Sequence, residues 1–448
     1  DGFPSGQIIF HLPSEVNSVS ESVSTSLPRA LGSDLVLKRA NGPKDLEAIL
    51  ACHVANFGEE DRGGLRMHMF SRPGQVPENF FFVEDTKTGE VASSVSFLPQ
   101  TWVYEGIPLK IGEVGIVSTR PAYRHKGLVR AQFKEYHRLA SEEGCLLSVI
   151  AGIGYFYRQF GYEYCLPMGG GRRLRAEQIP NLKEGETSPY RLRPAEAEDM
   201  PFLQRYYAEL VKGLCVSSII PDEIWRYQEA QPEDSVERKI TCVVERQGSP
   251  VGYVRLMARE APHDFGKGVR IVEAFLPQHE ACQEALRFAK RLALEERQEH
   301  IVKIEMALDV PLNQAAEVLG GGWQRPYGWQ IRVMDAVRFL SAIGPALERR
   351  LKASPLAGLS RDFTINLNRE LLALHFKRGR LRGVEHLPEG TRCDLTLPPN
   401  VALMLWLGHR SLDELFQWYP DIWRRDAEAK RLADVLFPKR PSWICSLF

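Results

Sequence analysis

The sequence predicts a mixed α/β chain: two tandem copies of one α/β domain, followed by a smaller α+β unit. Three observations carry this. Three strand and helix patterns recur in the same order at offsets of about 154 to 161 residues, as an internal duplication requires. After Met334 the pattern changes to short alternating strands and separate helical stretches. The length of 448 residues fits about three domains at roughly 150 residues each.

Residues 1–33 read as an N-terminal extension, because SVSESVSTSLP has little capacity to build a core. The opening DGFPSGQIIFHLPSEV lacks the basic flank and long apolar run of a signal peptide. The first domain is placed at 34–178. Leu35, Leu37 and Arg39 suggest a strand, and Pro43 with Leu46, Ile49 and Leu50 an amphipathic helix. FFFVEDTKTGEVASSVSF reads as strand, turn, strand, and IGEVGIVSTRPAYRHKGLVRAQFKEYHRLA as a strand, a proline and a long helix.

The second domain, 179–333, repeats each piece. YRLRPAEAEDMPFLQRYYAEL has the Arg193-to-Asp199 offset of Arg39 to Asp45. TCVVERQGSPVGYVRL repeats the hairpin, and VRIVEAFLPQHEACQEALRFAKRLA repeats the strand, proline and helix. The third unit, 334–448, combines a small antiparallel sheet over DFTINLNRELLALHFKRGRLRGVEHL with helices over VALMLWLGHRSLDELFQWY and RRDAEAKRLADVLF. It ends in PSWICSLF, an apolar terminus where soluble chains are usually polar and loosely held.

The two copies differ at one joint. The first enters its helix through Tyr123-Arg124-His125-Lys126-Gly127-Leu128, which supplies cations, a glycine for close approach and free backbone N–H groups for a phosphate. The second has His279-Glu280-Ala281-Cys282-Gln283-Glu284, whose carboxylates repel an anion. One copy reads as functional and the other as structural.

Composition removes several classes of function. Lys plus Arg and Asp plus Glu are each 57, so the balance makes no case for nucleic acid or an anionic membrane as partner. The longest apolar runs, such as Val401 to Leu407, are far too short to span a bilayer. Eight scattered cysteines without a CxxC pair predict free thiols in a reducing cytoplasm. The 11 histidines form no HExxH, and no structural metal is predicted. There is no GxSxG for a nucleophilic hydrolase, and the triple glycines at 169–171 and 320–322 read as loops.

VSTRPAYRHKGLV, residues 117–129, resembles motif A of the GNAT superfamily of N-acetyltransferases, a strand followed by Arg/Gln-x-x-Gly-x-Gly/Ala and a helix. Val129 stands where the motif has a small residue. FYRQFGYEY is similar to the Tyr-x-x-Phe-Gly-Tyr signature of many acetyltransferases. With the duplication and a third unit that resembles a sterol-carrier-protein-like domain, the layout resembles the enhanced intracellular survival (Eis) family over about residues 34–448.

The resemblance implies two GNAT-like domains, a sterol-carrier-like domain, acetyl-CoA as cosubstrate, a small-molecule or lysine-type amine as acceptor and a symmetric homo-oligomer. It implies that backbone groups of Val117 and Thr119 hold the pantetheine arm, while Arg124, His125, Gly127 and Leu128 cradle the pyrophosphate beside Lys126. Tyr157 would protonate the departing sulfur, and Glu59 would attract a cationic amine. Acetyl transfer also needs a base for the amine proton. Two candidates stand open: Glu113, on the strand before the phosphate loop and on the face of Gly115 and Val117, and the terminal carboxylate of Phe448, which the family uses. The family's acidic penultimate residue is Leu447 here. The competing reading is a non-catalytic binding or assembly protein with an apolar-ligand site in the third unit.

Overall fold

The structure, a computed structural model, describes residues 27–233, 235, 237–259, 267–368 and 370–445. Leu35–Arg39 (β1) leads through Gly42, held at φ 139°, into Pro43–Phe57 (α1), where proline stands in the first turn and Leu46, Ile49 and Leu50 turn inward. Arg62–Phe70 (α2) follows, then Phe80–Asp85 (β2), Val91–Tyr104 (β3) and Ile107–Thr119 (β4) as an antiparallel meander. Leu128–Glu142 (α3) crosses to Leu147–Ile150 (β5), which pairs parallel with β4, and Glu163–Met168 (β6) and Gly171–Arg175 (β7) end this half.

The second half repeats the order: Tyr190–Pro194 (β8), Met200–Leu210 (α4), Asp222–Glu229 (α5), Lys239–Arg246 (β9), Ser249–Met257 (β10) and Val269–Phe275 (β11). His279–Arg291 (α6) then leads to Ile301–Ile304 (β12), parallel to β11, and Pro311–Val318 (α7), Gly322–Gln324 (β13) and Tyr327–Val333 (β14) close it.

The sheets exchange strands across the boundaries expected at 178 and 333. The nine-stranded sheet runs β1-β2-β3-β4-β5-β14-β6, with Arg29–Ala30 beside β1 and Val216–Ser218 beside β3. The seven-stranded sheet runs β8-β9-β10-β11-β12-β7-β13. Each sheet's sixth position is thus filled from the other half: β14 lies between β5 and β6, and β7 between β12 and β13. The N-terminal extension expected over 1–33 also contributes, since Arg29–Ala30 pairs with Val36 and Leu37.

The third unit is a five-stranded sheet built on Arg361–Asn366, Leu371–Lys377 and Arg380–His386, flanked by helices. The helix expected over VALMLWLGHRSLDELFQWY divides into Pro399–Trp406 and Leu412–Trp418, because Gly408 turns left-handed at φ 67° and Ser411 with Glu414 builds a capping box for the second. Its core joins that of the first sheet. Phe339 stacks on Trp406 at 6.0 Å and meets Tyr104 edge-on at 6.3 Å, and the Tyr104 hydroxyl donates to the Trp406 carbonyl at 2.7 Å.

The apolar terminus is docked as far as it is described. Ser442 Oγ accepts from Val216 N, Trp443 N donates to Val216 O, and Cys445 N donates to Ser218 Oγ. Trp443, Ile444 and Cys445 are at most 5% exposed. Leu447 and Phe448 lie outside the described residues.

Candidate active site

The pairing of β4 with β5 ends where Glu113 faces Val149, while β4 continues to Thr119. Beyond that point the two strands diverge, and among the described residues no strand occupies that edge of β4. A bulge accompanies the divergence: Gly115 and Ile116 together oppose Ser96, between the pairs Val95–Val117 and Phe97–Val114. Glycine at 115 makes room for the neighbouring strand, since a Cβ there would lie 2.3 Å from Ser96 Oγ and force that side chain to move.

The bulge corrects one expectation. It adds a residue to the alternation, so Glu113 shares the face of Leu98 while Val117 joins Val95 and Phe97 on the other. Glu113 therefore points toward α1 and α2 rather than to the face of Val117.

A cavity of about 390 Å³ opens at the divergence, with Glu113 and Val117 of β4 on one side and Gly152 and Tyr157 on the other. Tyr157 sits in the short helical turn Phe156–Phe160, held by Phe133 at 5.8 Å and edge-on to Phe156 at 5.0 Å. Gly152 permits this placement, since a Cβ there would come within 2.0 Å of the Tyr157 ring. Burial pushes the phenol up to about 12, so it carries its proton at neutral pH. Among the described residues nothing hydrogen-bonds its hydroxyl, which leaves it available to a ligand.

Glu113 is 1% exposed. Burial pushes its carboxyl up to about 8, opposed by the nearby Arg72 guanidinium and by a hydrogen bond from Gln100 Nε2, itself oriented by Trp102 Nε1 at 3.1 Å. A carboxyl near 8 in the folded protein and 4.5 unfolded gives stability that is fully present below pH 4.5 and lost as pH rises through 8. Glu113→Gln, which stays neutral and can still accept from Gln100, is expected to gain melting temperature over the parent as pH rises from 5 to 9. Parallel Tm profiles for the two proteins would contradict this.

Other carboxylates face the same space. Glu60 and Asp61 come from the turn before α2, and Glu237 from the segment before β9 in the second half, where burial raises its carboxyl above the usual range. Glu59, expected here, is turned outward: it pairs with Arg62, which holds its carboxyl below the usual range, and the two residues after it, Glu60 and Asp61, line the cavity instead. Ser235 also lines the wall.

The joint between β4 and α3 leaves its turn open. His125 and Gly127 take left-handed φ values of 63° and 73°, and no side chain caps α3, so its first N–H groups remain open beside Lys126 and Arg124. A Cβ at 127 would meet nothing within 4 Å, so here glycine answers the backbone conformation rather than packing. Arg124 Nε reaches the Thr119 carbonyl at 3.3 Å, and Thr119 Oγ1 lies 2.8 Å from Ser93 Oγ, which ties the joint to the end of β4. Leu128 is buried and anchors the first turn.

The corresponding joint of the second half begins at Gln278 with φ −102° and places Glu280 in the first turn of α6. Along β11 the buried Glu273 is taken up by Tyr253 at 2.7 Å and by Arg255 at 3.6 Å, with Cys445 Sγ 3.5 Å away.

Residues 38–165 match the acetyltransferase (GNAT) domain family model. No curated protein sequence matches the chain. Among solved structures, a GCN5-related N-acetyltransferase from Anabaena variabilis is 17% identical with a TM-score of 0.66, covering 92% of this chain and 100% of that one. A conserved protein of unknown function from Enterococcus faecalis, described as a probable N-acyltransferase, is 16% identical with a TM-score of 0.69, covering 92% and 99%. Eis1 from Mycobacterium abscessus is 15% identical with a TM-score of 0.59, covering 92% and 100%. The chain thus carries an acetyltransferase (GNAT) domain over residues 38–165, within a mixed α/β fold that it shares along most of its length with these proteins.

Proposed function

We propose that the protein transfers an acetyl group from acetyl-CoA to a primary amine by direct attack in a ternary complex. The observation that carries this reading is the joining of the open edge of β4, the uncapped turn at Arg124–Leu128 and the Glu113–Tyr157 cavity at one strand divergence. Acetyl-CoA fits that order: its pyrophosphate at the α3 turn beside Arg124, His125 and Lys126, its pantetheine amides along the backbone of Val117 and Thr119, its thioester at the cavity.

The amine nitrogen attacks the carbonyl carbon, and the C–S bond breaks as Tyr157 gives its proton to sulfur. With burial pushing it up to about 12, the phenol keeps its proton at neutral pH and is present in the form a general acid needs. The amine proton passes to a carboxylate. We assign this to the terminus of Phe448, with Glu113 as the rival already on the cavity wall. The assignment is supported by the docked tail: Cys445 lies against Glu273 and Lys239, and Ser235 and Glu237, just before Lys239, line the cavity. Three further residues extend a chain by at most ~10 Å.

The acidic side chains of Glu60 and Asp61 on the cavity wall suit a cationic acceptor, whose ammonium they would attract before it loses a proton. The rival carrier reading draws no support from the third unit, whose interior is filled by side chains such as Phe339, Phe363 and Trp406, all 0% exposed. The test is release of free thiol from acetyl-CoA against a panel of polyamines, aminoglycosides, lysine peptides and small amines. An amine-dependent, saturable release with acetylated product is expected, and release that is independent of every amine would remove the proposal.

A further inference from the structure

A second, larger cavity of about 650 Å³ lies where both α/β halves, the third unit and the docked tail meet. It takes no part in the acetyl transfer proposed above. Its wall is apolar over Val103, Val211, Leu214, Ile220 and Trp225, and its size is that of a small-molecule site. The indole of Trp225 is 1% exposed and carries the buried Arg255 guanidinium 3.9 Å from its ring centroid, so this part of the wall is rigid.

The charge around the mouth is unbalanced. Glu105, on the turn between β3 and β4, accepts from Arg350 at 2.9 Å and forms an ion pair with Arg440 at 2.9 Å. Arg349, next to Arg350, donates to the Glu105 backbone carbonyl at 2.5 Å and has no carboxylate partner among the described residues. Three guanidinium groups therefore gather about one acidic residue, and Arg349, Arg440 and Glu105 itself line the cavity, which leaves a positive charge in excess there. Lys212 at the rim is matched by Glu209 at 3.1 Å and adds no net charge. An apolar cleft with a surplus of planar, forked donors at one end fits a ligand with an apolar body and one carboxylate head.

We propose that this cleft binds a medium-chain carboxylate, with its head between Arg349 and Arg440 and its chain against Val211, Ile220 and Trp225. The floor includes Ser218, whose Oγ accepts from Cys445 N at 3.0 Å, so the bound molecule touches the residue that secures the tail.

Octanoate is the probe, titrated into the full-length protein by calorimetry, with octanol and octylamine as controls of equal chain length. Octanoate is expected to bind one per chain, and each control at least tenfold more weakly. Arg349→Ala, an exposed position, should weaken octanoate about tenfold, a double change with Arg440→Ala more, and Arg349→Lys less than Arg349→Ala. Ala208→Trp, which puts an indole into the cleft and leaves Arg349 and Arg440 in place, should abolish binding. Equal affinity for octanoate and octanol, or octanoate binding untouched by both Arg349→Ala and Ala208→Trp, would overturn the proposal, as would no binding at millimolar octanoate. Acetyl-CoA titrated into the same variants should bind as it does to the parent, which separates failure of this site from failure of the acetyltransferase reading.

Discussion

Tyr157→Phe is expected to lower kcat by about two orders of magnitude while leaving acetyl-CoA affinity within about threefold, because a positioned general acid typically contributes 10²- to 10⁴-fold. The ring makes its packing contacts with Phe133 and Phe156 without the hydroxyl, so phenylalanine keeps the wall and removes only the proton donor. A second route should reach the same end. Gly152→Ala places a methyl group where the Tyr157 ring lies, which displaces the ring at a cost of roughly 1–3 kcal/mol in stability. Loss of kcat in both variants, with loss of Tm only in the second, separates chemistry from folding. Unchanged kcat in Tyr157→Phe would mean that the thiolate leaves unprotonated or takes its proton from water.

One glycine appended after Phe448 is expected to reduce kcat about 100-fold, because it moves the terminal carboxylate by a whole residue and leaves an amide in its place. The docked segment up to Cys445 keeps its partners on Val216 and Ser218 in such a variant, so Tm should hardly change. Glu113→Gln is the paired experiment. With Phe448 as base its kcat stays within about threefold of the parent; with Glu113 as base it falls instead, and the parent's kcat/KM rises with pH toward a plateau above about 8, where the carboxyl ionises. A full-rate glycine extension beside an inactive Glu113→Gln would transfer the role to Glu113.

Much of the fold was legible because its signals are local. Pro43, Pro121 and Pro277 mark element starts, the hairpins show alternation, and the duplicated order emerges from these marks. The exchange of β7 and β14 was not legible: both are short strands at the end of a half, and which sheet receives each depends on packing between halves. The bulge was hidden for a similar reason. Strict alternation through Gly115 put Glu113 and Val117 on one face, and only the pairing with Ser96 shows the extra residue.

At the candidate site, the Arg124–Leu128 turn and Tyr157 are legible because each sits in a contiguous motif. Glu59 is one of three consecutive acids in a turn, where each residue faces a different way, and Glu60 and Asp61 take the inward positions. Gln100, Arg72 and Glu237 carried no motif. Gln100 becomes visible only through its pairing across the hairpin with the region of Glu113, and Glu237 only when the second half closes one wall.

The central claim, that the divergence of β4 and β5 with the α3 turn is an acetyl-CoA site, is tested most directly by calorimetric titration of the full-length protein with acetyl-CoA. Saturable binding of one acetyl-CoA per chain is predicted, weakened at least tenfold by Arg124→Ala and again by Gly127→Val, since the first removes a phosphate donor and the second forces a branched residue into a left-handed conformation. Absence of binding at millimolar acetyl-CoA, or equal binding by the parent and the double variant, would contradict it.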